Sequence, residues 1–122
     1  MAKILLVEDN ERNIKLFYDL LTIKGFDVVL AKEATTGIQM AKDEKPDLIL
    51  MDIQLPGDID GIKATQILKA DDATKEIPII ALTAMAMNKD VEKTLMAGCV
   101  AFISKPVDTK NFIEKVRQYT TK

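Results

Sequence analysis

The chain has 122 residues, 48% hydrophobic and 30% charged, with 17 basic against 19 acidic residues and a formal net charge of -2. That length and composition suit one folded domain with a single core and exclude a disordered polar chain. The near balance of charge gives no electrostatic case for nucleic acid or an anionic membrane as principal partner.

Ile4-Leu5-Leu6-Val7 lies within the first apolar run, Lys3–Val7, which ends on Glu8-Asp9. Glu11–Lys24 then places Ile14, Phe17, Leu20 and Leu21 at helical spacing, with Asn10 as cap and Gly25 as terminator. The run Asp27–Ala31 predicts a second strand, and Ala34–Asp43 a second helix stopping before Pro46. Leu48–Met51 predicts a third strand delivering Asp52 at its end, and Gly61–Lys69 a third helix carrying Ile62, Ile67 and Leu68. Ile77–Leu82 predicts a fourth strand followed by Thr83. Asn88–Ala97 is expected to be a helix with a thin apolar stripe, Val91, Leu95 and Met96, ending at Gly98. Ala101–Ile103 predicts a short fifth strand before Ser104-Lys105-Pro106, and Asp108 is placed to cap the last helix, Thr109–Tyr119.

The first, third and fourth runs are almost continuously apolar, as strands buried on both faces of a parallel sheet must be. Five strand–helix repeats predict an α/β fold with a parallel sheet and right-handed crossovers. Ligands of such a sheet bind beyond the carboxyl ends of the strands. Those ends carry Glu8-Asp9, Asp52, Thr83 and Lys105. Each alone is ordinary, since acids and threonines cap helices and lysines cover surfaces. The four together suit a hard cation and a phosphoryl group.

Other chemistries are excluded or disfavoured by composition. There is no histidine, hence no Ser-His-Asp arrangement, no imidazole metal ligand and no phosphohistidine on this chain. Cys99 is the only cysteine, so no internal disulfide forms, and no base stands beside it in sequence to make it a nucleophile. Zn²⁺ is disfavoured for the same reasons, whereas Mg²⁺ takes oxygen ligands. Met1-Ala2-Lys3 leads straight into a strand, and no apolar run approaches a membrane span. A cytoplasmic protein without membrane insertion is expected.

The stretches Val7-Glu8-Asp9-Asn10, Asp47–Pro56, Leu82-Thr83-Ala84 and Ser104-Lys105-Pro106 together resemble the receiver domain of two-component response regulators. The resemblance covers essentially the whole chain. It is strongest toward stand-alone DivK-like regulators and the receivers of hybrid kinases. It implies a doubly wound, flavodoxin-like (βα)5 fold with strand order 2-1-3-4-5, residues 1–122 forming one receiver domain. It implies that Asp52 is the phosphoacceptor, that Asp9 ligates Mg²⁺ (or Mn²⁺) directly and Glu8 through water, and that Asp52 and the backbone carbonyl of Gln54 complete the protein's ligands. Thr83 would report the phosphoryl group, Lys105 would pair with it, and Phe102 would fill the space that Thr83 vacates. The implied donor is a histidine kinase or histidine phosphotransfer protein. The implied output is a protein partner met on the 88–119 face, or phosphorelay, with no direct DNA contact.

One departure is the stretch Gly57–Asp60, one residue longer than the usual loop between this proline and Gly61. Gln54 and Met85 occupy positions that tune hydrolysis in the family, so partial shielding of the phosphoryl group is expected there, and Met85 and Met87 are expected to cover or flank the pocket. Two other functions compete. One is a receiver-fold interaction module that signals without phosphorylation. The other is a Mg²⁺-dependent phosphohydrolase with an aspartyl-phosphate intermediate, although haloacid-dehalogenase-type enzymes have an aspartate where Gln54 stands.

Overall fold

The computed structural model describes residues 2–84 and 88–120, with 88–90 described at the backbone alone. Met85 and Met87, expected to cover or flank the pocket, lie outside the described residues. The order is β1 (Lys3–Val7), α1 (Glu11–Ile23), β2 (Asp27–Ala31), α2 (Ala34–Glu44), β3 (Leu48–Asp52), α3 (Gly61–Ala70), β4 (Ile79–Thr83), α4 (Asn88–Ala97), β5 (Ala101–Ser104) and α5 (Thr109–Thr120). The five strands form one parallel sheet in the order β2-β1-β3-β4-β5. This is the doubly wound topology expected from the sequence, and its strand order reverses direction between β1 and β3.

Side-chain alternation splits the interior into two layers. Leu5, Val7, Ile49, Met51, Ile79 and Ala81 face a cluster with Ala34, Ala41, Ala64 and Leu68 from α2 and α3. Ile4, Leu6, Leu48, Leu50, Ile80 and Leu82 face Phe17 and Leu21 of α1 and Phe112, Ile113 and Val116 of α5. Phe17 and Phe112 stack with ring centroids 5.1 Å apart, tying α1 to α5. All of β3 and β4 is buried, which explains why their sequences show no polar alternation.

The expected caps at Asn10 and Asp108 form, and Asp60 caps α3 without having been expected to. The Asn10 side chain accepts a hydrogen bond from Asn13 N at 3.1 Å, and Asp60 accepts from Lys63 N at 2.9 Å. Asp108 accepts from Lys110 N at 3.1 Å while its carbonyl takes the α5 bond from Phe112 N. Gly25 has φ 90° just past α1, a conformation that disfavours other residues.

The strand ends differ slightly from expectation. β4 starts at Ile79 rather than Ile77, because Pro78 has no N–H to give and Ile77 N is used in a turn to Thr74 O. At their carboxyl ends, β3, β4 and β5 run one residue further than expected, so Asp52, Thr83 and Ser104 are strand residues. The polar groups of the site are therefore held by the sheet itself.

Candidate functional site

Register brings the site together. Val7 aligns with Met51, so the next residues, Glu8 and Asp52, leave adjacent strands side by side. Asp52 aligns with Leu82 and Thr83 with Ser104. Ladder-type bonds continue past the strands: Ile53 N donates to Leu82 O at 3.1 Å, and Lys105 N donates to Thr83 O at 2.7 Å. The Lys105–Pro106 peptide is cis.

Glu8 is fully buried and Asp52 is 4% exposed, while Asp9 is open to solvent. Ligand oxygens from Glu8, Asp9 and Asp52 lie within 4.8 Å of one another. Lys105 Nζ sits 2.8 Å from Glu8 Oε1 and 3.2 Å from Asp52 Oδ2. Glu8 Oε2 accepts from Asn10 N at 3.2 Å, and Asp52 Oδ1 accepts from Gln54 N at 2.9 Å. Glu8 Oε1 has the lysine close by but no aligned hydrogen bond. Among the described residues, one ammonium thus stands against a cluster of three carboxylates, two positive charges short of neutrality when all three are ionised.

The consequence is felt at Asp52. Its pKa is pushed from 3.8 up to about 7, first by burial, then by a carboxyl–carboxyl hydrogen bond with Glu8 and the Glu8 charge. The Gln54 N–H and the Lys105 charge act in the opposite direction. A divalent cation is the natural complement of this surplus. The donor set fits Mg²⁺, being all oxygen, with a buried acceptor that lacks an aligned partner and an exposed carboxylate at the mouth.

The structure thus brings Glu8, Asp9, Asp52 and Lys105 into one site, with Gln54 attached through its backbone N–H. Thr83 is buried at the end of β4, next to the lysine-bearing turn. Phe102 aligns with Ala81, two residues back from Thr83, and is half-buried against the α2/α3-side cluster. Gly57–Asp60 lies in the β3–α3 connection, with Gly57 at φ 96° and Ile59 anchoring it to that cluster. Two contributors carry no sequence signal for their part in the site. Asn10 was legible as a cap, but its N–H also orients Glu8. Gly61 fits a helix start in the sequence, yet it packs on the Asp52 backbone.

This acid-rich strand-end site on a 2-1-3-4-5 sheet defines a class of protein, and comparison with known proteins agrees. The chain belongs to the response regulator receiver domain family, whose profile matches residues 4–117. The polar-differentiation response regulator DivK of Brucella anthropi is 44% identical over 116 residues, covering 95% of this chain and 94% of that one. DivK of Brucella melitensis is 43% identical over the same span. Among solved structures, the receiver domain of a Pseudomonas aeruginosa sensor histidine kinase, with magnesium coordinated in its active site cleft, is 33% identical with a TM-score of 0.91. That match covers 99% of this chain and 98% of the other. The chemotaxis protein CheY4 of Vibrio cholerae matches with a TM-score of 0.91 at 20% identity, covers 98% of each chain, and speaks for the fold alone. The chain is thus a DivK-like receiver domain of two-component signalling. Among the described residues, no helix is long and apolar enough to cross a membrane.

Proposed function

We propose that residues 1–122 act as a phosphorylatable signalling domain, with Asp52 accepting a phosphoryl group from a phosphohistidine on a kinase or phosphotransfer protein. The observation that carries this is the Asp52 carboxylate, held at a strand end between Gln54 N and Lys105 Nζ beside two further acids. An Asp52 oxygen forms the new P–O bond as the P–N bond of the donor breaks, and the imidazole leaves with its electron pair. Gln54 N–H fixes Oδ1 and Lys105 approaches Oδ2, so the nucleophile is oriented before the donor arrives. Lys105 then has a phosphoryl oxygen to pair with, and Thr83, at the neighbouring strand end, has a new acceptor for its hydroxyl.

Mg²⁺ would be held by Asp9, Asp52 and the Gln54 carbonyl, with Glu8 acting through water, and when bound would neutralise charge on the phosphoryl oxygens. Phe102 would follow Thr83 inward, shifting the population of states on the α4–β5–α5 face. Output is then a change in affinity for a protein partner, or onward transfer in a relay, rather than direct DNA binding. A cytoplasmic setting follows from such partners.

Incubation with a cognate phosphorylated kinase tests the proposal. Wild-type protein should be labelled in Mg²⁺, Asp52→Asn should not, and Lys105→Ala should be labelled slowly. Equal labelling of wild type and Asp52→Asn would contradict it.

A further inference from the structure

Gly61 opens α3 in ordinary helical backbone, unlike the three glycines with positive φ, Gly25, Gly57 and Gly98. Conformational freedom therefore does not explain a glycine here. Space does. A Cβ at position 61 would lie 2.1 Å from the Asp52 carbonyl oxygen, 2.6 Å from Ile53 Cα and 2.8 Å from the Asp52 carbonyl carbon. All three atoms are backbone, so no side-chain rotation relieves the clash. At Gly37 the corresponding contacts are the methyls of Val7, and at Gly98 the flexible stem of Lys69. Among the described contacts, the missing side chain of Gly61 is what makes room for the main chain of the candidate phosphoacceptor.

The segment that Gly61 touches is pinned on its other side. Ile53 N donates to Leu82 O at 3.1 Å, and Gly61 N donates back to Ile53 O at 3.3 Å. The peptide after Asp52 is thus sandwiched between β4 and the first turn of α3. Asp60 fixes that turn through its cap on Lys63 N. The same peptide leads directly to the Gln54 N–H that holds Asp52 Oδ1. Displacing it would move the carboxylate and the Gln54 backbone together relative to Glu8 and Lys105.

We infer that Gly61 is a positioning residue for phosphoryl transfer. Its bare Cα lets α3 seat against the Asp52–Ile53 backbone and so sets the distance of the Asp52 carboxylate from the rest of the site. The inference rests on the reading of Asp52 as phosphoacceptor.

The test compares Gly61→Ala with Gly98→Ala, a variant strained by its φ of +115° and its Lys69 contact. Gly98 has no part in the site. Three quantities are measured at a temperature where both variants are folded by circular dichroism. They are the rate of phosphorylation by acetyl phosphate, Mg²⁺ affinity by calorimetry, and the amide shifts of Ile53 and Gln54 in metal-free protein. A misplacement of the order of an ångström slows positioned chemistry by roughly ten- to a hundredfold, the loss expected for Gly61→Ala. Severalfold weaker Mg²⁺ binding and displaced Ile53 and Gln54 amides should accompany it, while Gly98→Ala stays near wild type in all three. Wild-type kinetics in folded Gly61→Ala, or equal losses in the two variants, would overturn the inference while leaving Asp52 as acceptor. Wild-type protein that takes no phosphoryl group would overturn both. Should Gly61→Ala not fold, Asp60→Ala against Asp60→Asn decides, since asparagine keeps the cap. A two- to threefold slowing and weaker Mg²⁺ binding in the alanine variant alone are expected, and no difference between the two would overturn the inference.

Discussion

Asp52 is held at odds with its own charge. A carboxylic acid protonated up to about pH 7 in the fold, against 3.8 in the open chain, favours the folded state when neutral. Between those two values the folded protein binds more protons than the unfolded chain, so stability falls as pH rises. The contribution is complete below about pH 4 and gone above about pH 7. In metal-free buffer, the urea midpoint of wild type should drop from pH 5 to pH 7.5 more than that of Asp52→Asn, which lacks this proton. Parallel pH profiles for the two would contradict the assignment of cause. Millimolar Mg²⁺ should reverse the trend for wild type, because a cation bound by the ionised acids favours the folded state as they deprotonate. At this scale the sequence was informative about identity but silent about partnership. Glu8, Asp9, Asp52 and Lys105 could be picked out as strand-end charges. That Lys105 lies nearer Glu8 than Asp52, or that Asn10 N–H orients Glu8, depends on distances between strands far apart in sequence.

At the scale of elements, the parts that carry the site are the most deeply packed. β3 and β4 are buried along their whole lengths, and their apolar runs made them plain in the sequence. The exact reach of each strand was less plain, because Pro78 and the last polar residue of each strand obey hydrogen bonding rather than hydrophobic pattern. The α1–α5 layer is joined by the Phe17–Phe112 stack, with Phe112 fully buried. Phe112→Ala should cost about 3–5 kcal/mol of folding stability by lost burial and cavity formation. Denaturant melts would show it, while phosphorylation at a temperature where the variant is folded should persist, since Phe112 does not touch the acidic pocket. A loss below about 1 kcal/mol would show that the layer repacks freely. The close approach of Gly61 to Asp52 could not be read from any local pattern, because glycine at a helix start has many ordinary causes.

Taken whole, the molecule places a charge-deficient pocket at the carboxyl end of a rigid sheet, with α4, β5 and α5 on the side where Thr83 and Lys105 leave it. Fold class and strand order were accessible from five apolar runs and a family resemblance, since each run alternated with a helix-length amphipathic segment. One covalent event at Asp52 underlies the proposed signalling. Borohydride reduction after phosphorylation converts an aspartyl phosphate to homoserine, and fragmentation of the tryptic peptide spanning residues 43–63 locates it among Asp43, Asp47, Asp52, Asp58 and Asp60. Homoserine at position 52 alone, and only when Mg²⁺ was present, is the predicted result. Homoserine at another aspartate, or none despite a competent phosphodonor, would contradict the account.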